Sequence, residues 1–292
     1  QLVPDMQTIG FLYCSSEQNS KFQIDIAKKV CDELGIKYIR CHGILDDDML
    51  TYQRMSDCKM FKSVPGNQKI EEINFRQVGH IYDNLLSIGV RPFAELSFIP
   101  SALASGKKLG LRYAPNITMP KSLSAWSDYI KRFVRFLIDR YGKEEVEQWY
   151  FEVWNEPDLG DQCWLGTLEE FMELFKTAAI HLKTRFPHLK IGGPAMTGEG
   201  VFEWLDDFLA YMKENNVPLN FYSWHAYRSD PHGFEPFIMR ARELLDKHGY
   251  TETEHYMNEW NYISDWGKGF KASINTIAGM KGAAFTAATM AF

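Results

Sequence analysis

The chain of 292 residues has no long apolar run, no cysteine pair at metal-binding spacing, no excess of basic charge and no glycine-rich phosphate turn. Each absence removes a class of function. The nearest approach to an apolar run, Gly282 to Phe292, falls short of the roughly 20 residues that span a bilayer and carries two threonines, so no membrane partner is expected. With 32 Lys and Arg against 38 Asp and Glu, interleaved along the chain, there is no basic stripe for a phosphate backbone, and nucleic acid is excluded as a partner. Cys14, Cys31, Cys41, Cys58 and Cys163 are odd in number and widely spaced. They form neither a disulfide framework nor a zinc pattern, and they tilt the chain toward a reducing, cytoplasmic compartment, the alternative being a secreted or periplasmic protein whose signal peptide has been removed. No HExxH occurs, the eight histidines are scattered, and neither metal nor cofactor is expected.

What the chain does have is a core-forming composition, 45% hydrophobic and 14% aromatic, in a strict order of segments. Short β-like runs cover 8–13, 36–41, 90–96, 149–153, 189–193, 219–225 and 255–260. Helical periodicity fills 22–34, 75–88, 122–141, 168–186, 202–215, 236–247 and a last stretch from about Ile274. Thr167 with Glu170 is a capping box that starts the helix after the fourth strand. Seven strand-then-helix units without hairpin signals predict parallel strands joined by crossover helices. An open doubly wound sheet calls for a Gly-rich turn after its first strand, which Phe11 to Ser16 lacks, so a (β/α)8 (TIM) barrel is preferred. The whole chain, 1–292, reads as one catalytic barrel domain that stops after the seventh βα unit; the alternative is a very short final strand at Met290 to Phe292.

The strand ends are where such a barrel builds its site. The run from Trp149 to Leu159, WYFEVWNEPDL, stops abruptly at Asn155, Glu156 and Pro157, and HYMNEWNY repeats the device at Asn258, Glu259 and Trp260. Other tips carry Arg40, His42, Glu95, Phe98, His225 and Tyr227. Two carboxylates facing each other across a barrel mouth are the machinery of glycoside hydrolysis. The irregular stretch 44–69 is too long for a routine connection and has the length of a functional lid. Its Asp46-Asp47-Asp48 run lacks EF-hand spacing and reads as a solvated loop.

WNEP on the fourth strand, NEW on the seventh and SWHAY on the sixth resemble the retaining glycosidases of clan A. YIRCHG, YDNLLSIGVRPFAELSFIP and FEVWNEPDL narrow the resemblance to glycoside hydrolase family 39, best known for β-xylosidases and α-L-iduronidases. The resemblance implies Glu156 as general acid/base and Glu259 as nucleophile, with His225 and Tyr227 beside Glu259. It implies substrate contacts from Asn155, His42, His225, Tyr227, Glu95 and Phe98, Asn155 donating its amide to a sugar 2-hydroxyl. For His42 and His225 the other reading is a buried histidine satisfying backbone groups, and for Glu95 a supporting partner behind the site. The implied substrate is a β-xyloside or xylo-oligosaccharide; α-L-iduronidase-like or α-L-arabinosidase activity is the alternative, and a weakly active or inactive sugar-binding fragment is the other class. A uronate would call for basic residues, of which Arg40 and Arg228 are at hand. The family's eighth strand and C-terminal β-sandwich are not found in these residues, which leaves barrel edges that a second copy of the chain can pair in a homo-oligomer.

Overall fold

The protein is described by a computed structural model covering residues 17–54 and 71–291. Six parallel strands make its sheet: β1 (Tyr38–Cys41), β4 (Arg91–Glu95), β5 (Tyr150–Glu152), β6 (Lys190–Met196), β7 (Phe221–Arg228) and β8 (Glu254–Tyr262), hydrogen-bonded in that order. Helices follow each strand in turn, which makes a partial (β/α) barrel. The first expected strand, Thr8 to Tyr13, lies outside the described residues. Met290 and Ala291, the alternative start of a last strand, are helical, in α10 (Met280–Ala291).

The central strands are short and enclosed on both faces, as their β-branched and aromatic runs require. Every residue of β5 is buried, and so are the first six of β7. Phe93, Tyr150, Phe221 and Tyr256 form a separate aromatic cluster from four different strands, while the larger core fills the layer between sheet and helices. Within that layer Trp126, Trp149, Trp154 and Trp164 are all buried. The helix α5 (Leu168–Arg185) begins on the expected capping box, with Thr167 Oγ1 accepting from the Glu170 amide and Glu170 accepting from the Thr167 amide.

Two differences from the sequence reading bear on local chemistry. The helix expected over 202–215 is two helices, α6 (Gly198–Glu203) and α7 (Leu205–Glu214), and it starts earlier because Thr197 Oγ1 caps the amide of Gly200. The stretch 44–69, expected to be irregular, contains β2 (Tyr52–Arg54), which runs antiparallel to β3 (Glu71–Ile73) just past it. The two strands are too far apart in sequence for a hairpin signal. None of the helices among the described residues is long and apolar enough to cross a membrane.

Candidate active site

The site is assembled around one buried cation. Arg40, on β1, sends Nε to Glu152 Oε2 at 2.6 Å, Nη2 to Glu95 Oε2 at 2.6 Å and to Asn155 Oδ1 at 2.7 Å, and Nη1 to Glu259 Oε2 at 3.1 Å. A planar fork of five donors suits this task, because each carboxylate approaches from a different edge. Parallel register explains the convergence: Arg40 is opposite Phe93 and Cys41 opposite Ala94, while Glu95 is opposite Glu152 on the next strand. Buried carboxylates persist only when paired, and Glu152 also accepts from Ser223 Oγ at 2.5 Å and from Asn258 Nδ2 at 2.7 Å. The fully buried Glu152 was present in the apolar run but carried no expectation; an acid inside an otherwise apolar strand was the signal for it.

Beyond this layer the backbone turns two further carboxylates, Glu156 and Glu259, outward. Trp154 and Glu156 both have left-handed backbones, at φ 75° and 43°, and the amide of Glu156 bonds the carbonyl of Ala195 at 2.9 Å. Strain of this kind at non-glycine residues is concentrated at functional sites. Pro157 then opens a 3-10 turn, Pro157–Gln162, and ends the strand. On the facing side, the register between β7 and β8 shifts between Trp224 and His225, which sets His225 opposite Glu259. Such a bulge re-aims a side chain.

As a result, His225 Nδ1 is 2.9 Å from Glu156 Oε1 and 3.8 Å from Glu259 Oε2. The resemblance placed this histidine beside Glu259; the structure places it between the two acids and nearer Glu156. Tyr227 donates its hydroxyl to Glu259 Oε1. One oxygen of each glutamate and a ring nitrogen of His225 lie within 4.8 Å of one another. Glu156 and Glu259 keep 12% and 13% of their side-chain surface exposed, whereas Glu95 and Glu152 keep none. The first pair is therefore the one a ligand can reach.

Electrostatics separate the groups further. Burial by itself favours the neutral acid at Glu259, but the charges of His225, Arg40 and His42 outweigh it and, with the Tyr227 hydrogen bond, hold the carboxyl well below the usual range. Burial and Arg40 work against the His225 imidazolium, yet Glu259 and Glu156 raise its pKa above the ordinary histidine value. Glu95 stays below the carboxylate range for the same reason as Glu259: Arg40 and His42 overcome its desolvation.

The remaining expected residues sit around this centre in different ways. His42 is half-buried, with Nδ1 2.9 Å from Glu95 Oε2 and Nε2 bonded to the Tyr113 hydroxyl; burial lowers its pKa but Glu95 prevails, pushing it up to about 9. Glu95 and Phe98, expected as substrate contacts, are fully enclosed, Glu95 behind His42 and Phe98 edge-on against Trp154 with ring centres 5.4 Å apart. Asn155 holds its amide nitrogen 3.7 Å from the Cys163 sulfur, with its oxygen on Arg40. Cys163, buried 3.9 Å from Glu156 Oε2, and Tyr113 were not singled out, since neither lies on a strand tip. Asp46 departs from the solvated reading: it is buried, accepts from the Phe98 amide at 2.8 Å, and desolvation pushes its pKa up to about 7, while Asp47 and Asp48 are exposed. The cleft that Glu156, His225, Tyr227 and Glu259 share has a volume of about 670 Å³, within the range of sites for small organic ligands.

Comparison with known proteins fits this arrangement. The sequence profile described as "Glycosyl hydrolases family 39" matches residues 6–255. A "Beta-xylosidase" of Caldicellulosiruptor saccharolyticus is 44% identical over 203 residues, 70% of this chain and 39% of the relative; one of Geobacillus stearothermophilus is 40% identical over 213 residues, 73% of this chain and 40% of the relative. The chain thus aligns with about two fifths of the length of these relatives. Among solved structures, a monomeric β-xylosidase from Caulobacter crescentus superposes with a TM-score of 0.74 at 29% identity, over 90% of this chain and 52% of that one.

Proposed function

Because the chain belongs to glycosyl hydrolase family 39, we propose that it removes xylose from β-xylosides and xylo-oligosaccharides by double displacement with net retention. The observation that carries the retaining reading is the separation of the two acids. Glu156 and Glu259 bring oxygens within 4.8 Å, near the roughly 5–5.5 Å of retaining pairs and well under the 6.5–9.5 Å that leaves room for an attacking water.

In the first step a Glu259 oxygen attacks the anomeric carbon while Glu156 gives its proton to the departing glycosidic oxygen. Glu259 suits attack because Arg40 and Tyr227 each donate to one of its oxygens and keep it ionised. Glu156, now a carboxylate, then takes a proton from water as that water attacks the same carbon and releases Glu259. His225 touches Glu156 and faces Glu259, so it holds both acids in place as charge passes between them. Asn155 is oriented by Arg40 through its oxygen and by the Cys163 sulfur through its amide nitrogen, whose second hydrogen is left to donate to the sugar.

A second reading has one observation in its favour. Arg228 lines the cleft and has no carboxylate partner among the described residues, which suits a uronate or another acidic sugar. Turnover of aryl β-xyloside, α-L-arabinoside, α-L-iduronide and β-glucoside by the chain and by its Glu259→Ala variant tests both. Xyloside should be the best substrate, with Glu259→Ala inactive. Preference for the iduronide would favour the second reading, and equal rates for chain and variant would reduce the protein to a sugar-binding fragment.

A further inference from the structure

The lining of the cleft goes beyond the two glutamates. From Glu156 it runs along Leu159 and Gln162 with Leu111 beside them, and its other lining residues include Glu199, Arg228 and Trp266. His42, Asn155, Glu95 and Phe98 are not part of it. The loop that follows Glu156 thus shares its cleft with Trp266, the most exposed of the cleft's large hydrophobic side chains at 62% open.

Trp266 is exposed but not loose. Its ring stacks on Phe270, centroids 5.6 Å apart and planes at 15°, and meets Tyr227 edge-on at 5.1 Å. The loop that carries it is tied by Asp265, whose two oxygens accept from the amides of Gly267 and Gly269 at 2.7 Å. A large aromatic face held rigidly in a cleft binds at little entropic cost. Around it, Glu199 and Arg228 line the same cleft without an ion pair among the described residues.

We propose that Trp266 is the specificity-determining platform for the leaving group, and that the group it takes is a second pyranose ring. Apolar walls alone would suit a plain aryl group. Here the C–H face of a sugar stacks on the indole while its hydroxyls meet Gln162, Glu199 and Arg228. The inference rests on the glycosidase reading above and adds which residue selects the group that departs. Trp266 acts on binding before bond cleavage, so it affects the glycosylation step and leaves hydrolysis of the glycosyl-enzyme untouched.

The test compares methyl β-xyloside, 4-nitrophenyl β-xyloside and xylobiose with the unaltered chain, Trp266→Ala and Trp266→Phe. Trp266→Ala should lower kcat/KM for xylobiose about tenfold and leave methyl xyloside within about twofold, with Trp266→Phe keeping most of the xylobiose activity. The reactivation rate of a 2-fluoroxylosyl-enzyme in water should be the same in all three proteins. If Trp266→Ala and Trp266→Phe lower all substrates alike, or neither lowers xylobiose, the platform is overturned; a loss confined to the nitrophenyl substrate overturns the pyranose. If the unaltered chain cleaves none of the three, it is the xylosidase reading that fails.

Discussion

Arg40 Nη1 donates to Glu259 Oε2 at 3.1 Å while the same guanidinium holds Glu95 and Glu152, neither of which has any exposed surface. One cation thus serves the proposed nucleophile and two enclosed acids. The network around it has two separable consequences.

The first is on the pH dependence. The proposed nucleophile Glu259 must be ionised, and its pKa is held below the usual range by His225, Arg40 and His42 against its own burial. Arg40→Gln removes one of these cations, so Glu259 protonates at higher pH. The acid limb of kcat/KM should move up by about one unit or more, measured on an aryl xyloside; an unmoved acid limb would separate Arg40 from Glu259.

The second is on stability. Glu152→Ala leaves Arg40 Nε, Ser223 Oγ and Asn258 Nδ2 without their acceptor in a dry interior. Breaking such a network by deleting one partner costs roughly 3–5 kcal/mol. Chemical denaturation should show the loss, and a change under 1 kcal/mol would mean that the network relaxes around water.

His42 provides a pH signature for folding. Its folded pKa is raised to about 9, mainly because Glu95 outweighs its desolvation; a free histidine titrates near 6.5. The stabilisation is fully present below about pH 6.5 and is lost as pH rises through about 9. Denaturation midpoints should therefore fall between these limits, and His42→Gln should flatten that part of the curve.

Gly110 tests how the strap before Leu111 is seated. A Cβ there would lie 1.9 Å from the Gln162 carbonyl oxygen and 2.7 Å from the Ile117 Cγ2. Gly110→Ala must push the strap away from the Glu156 loop, lowering stability by about 1–3 kcal/mol and reducing kcat/KM, both read on the purified variant.

These expectations also show what a sequence reveals and what it does not. Asn155, Glu156 and Glu259 were legible because an apolar strand ending in Asn-Glu is a local pattern, and parallel topology then brings both tips to one mouth. Alternation predicted the parallel pairing, and the missing Gly-rich turn chose a barrel over an open sheet. Glu152 and Arg40 were visible as letters, but their shared network depends on register across β1, β4, β5, β7 and β8, which no local period encodes. His225 was expected beside Glu259 and lies 3.8 Å from it, but its shorter contact, 2.9 Å to Glu156, depends on how two strand tips meet across the mouth, which no local pattern encodes. Tyr113 and Cys163 reach the site from loops, where side-chain direction is set by packing rather than by spacing.

The double displacement proposed above requires Glu259 to form a covalent bond to the sugar. Incubation with an activated 2-deoxy-2-fluoro-β-xyloside, followed by intact-mass and peptide mass spectrometry, tests it directly. The expected result is one fluoroxylosyl adduct, located on Glu259 within Glu254–Tyr262 and absent from Glu259→Ala. Turnover of xyloside with no adduct, and with the α-anomer of xylose as first product, would contradict it.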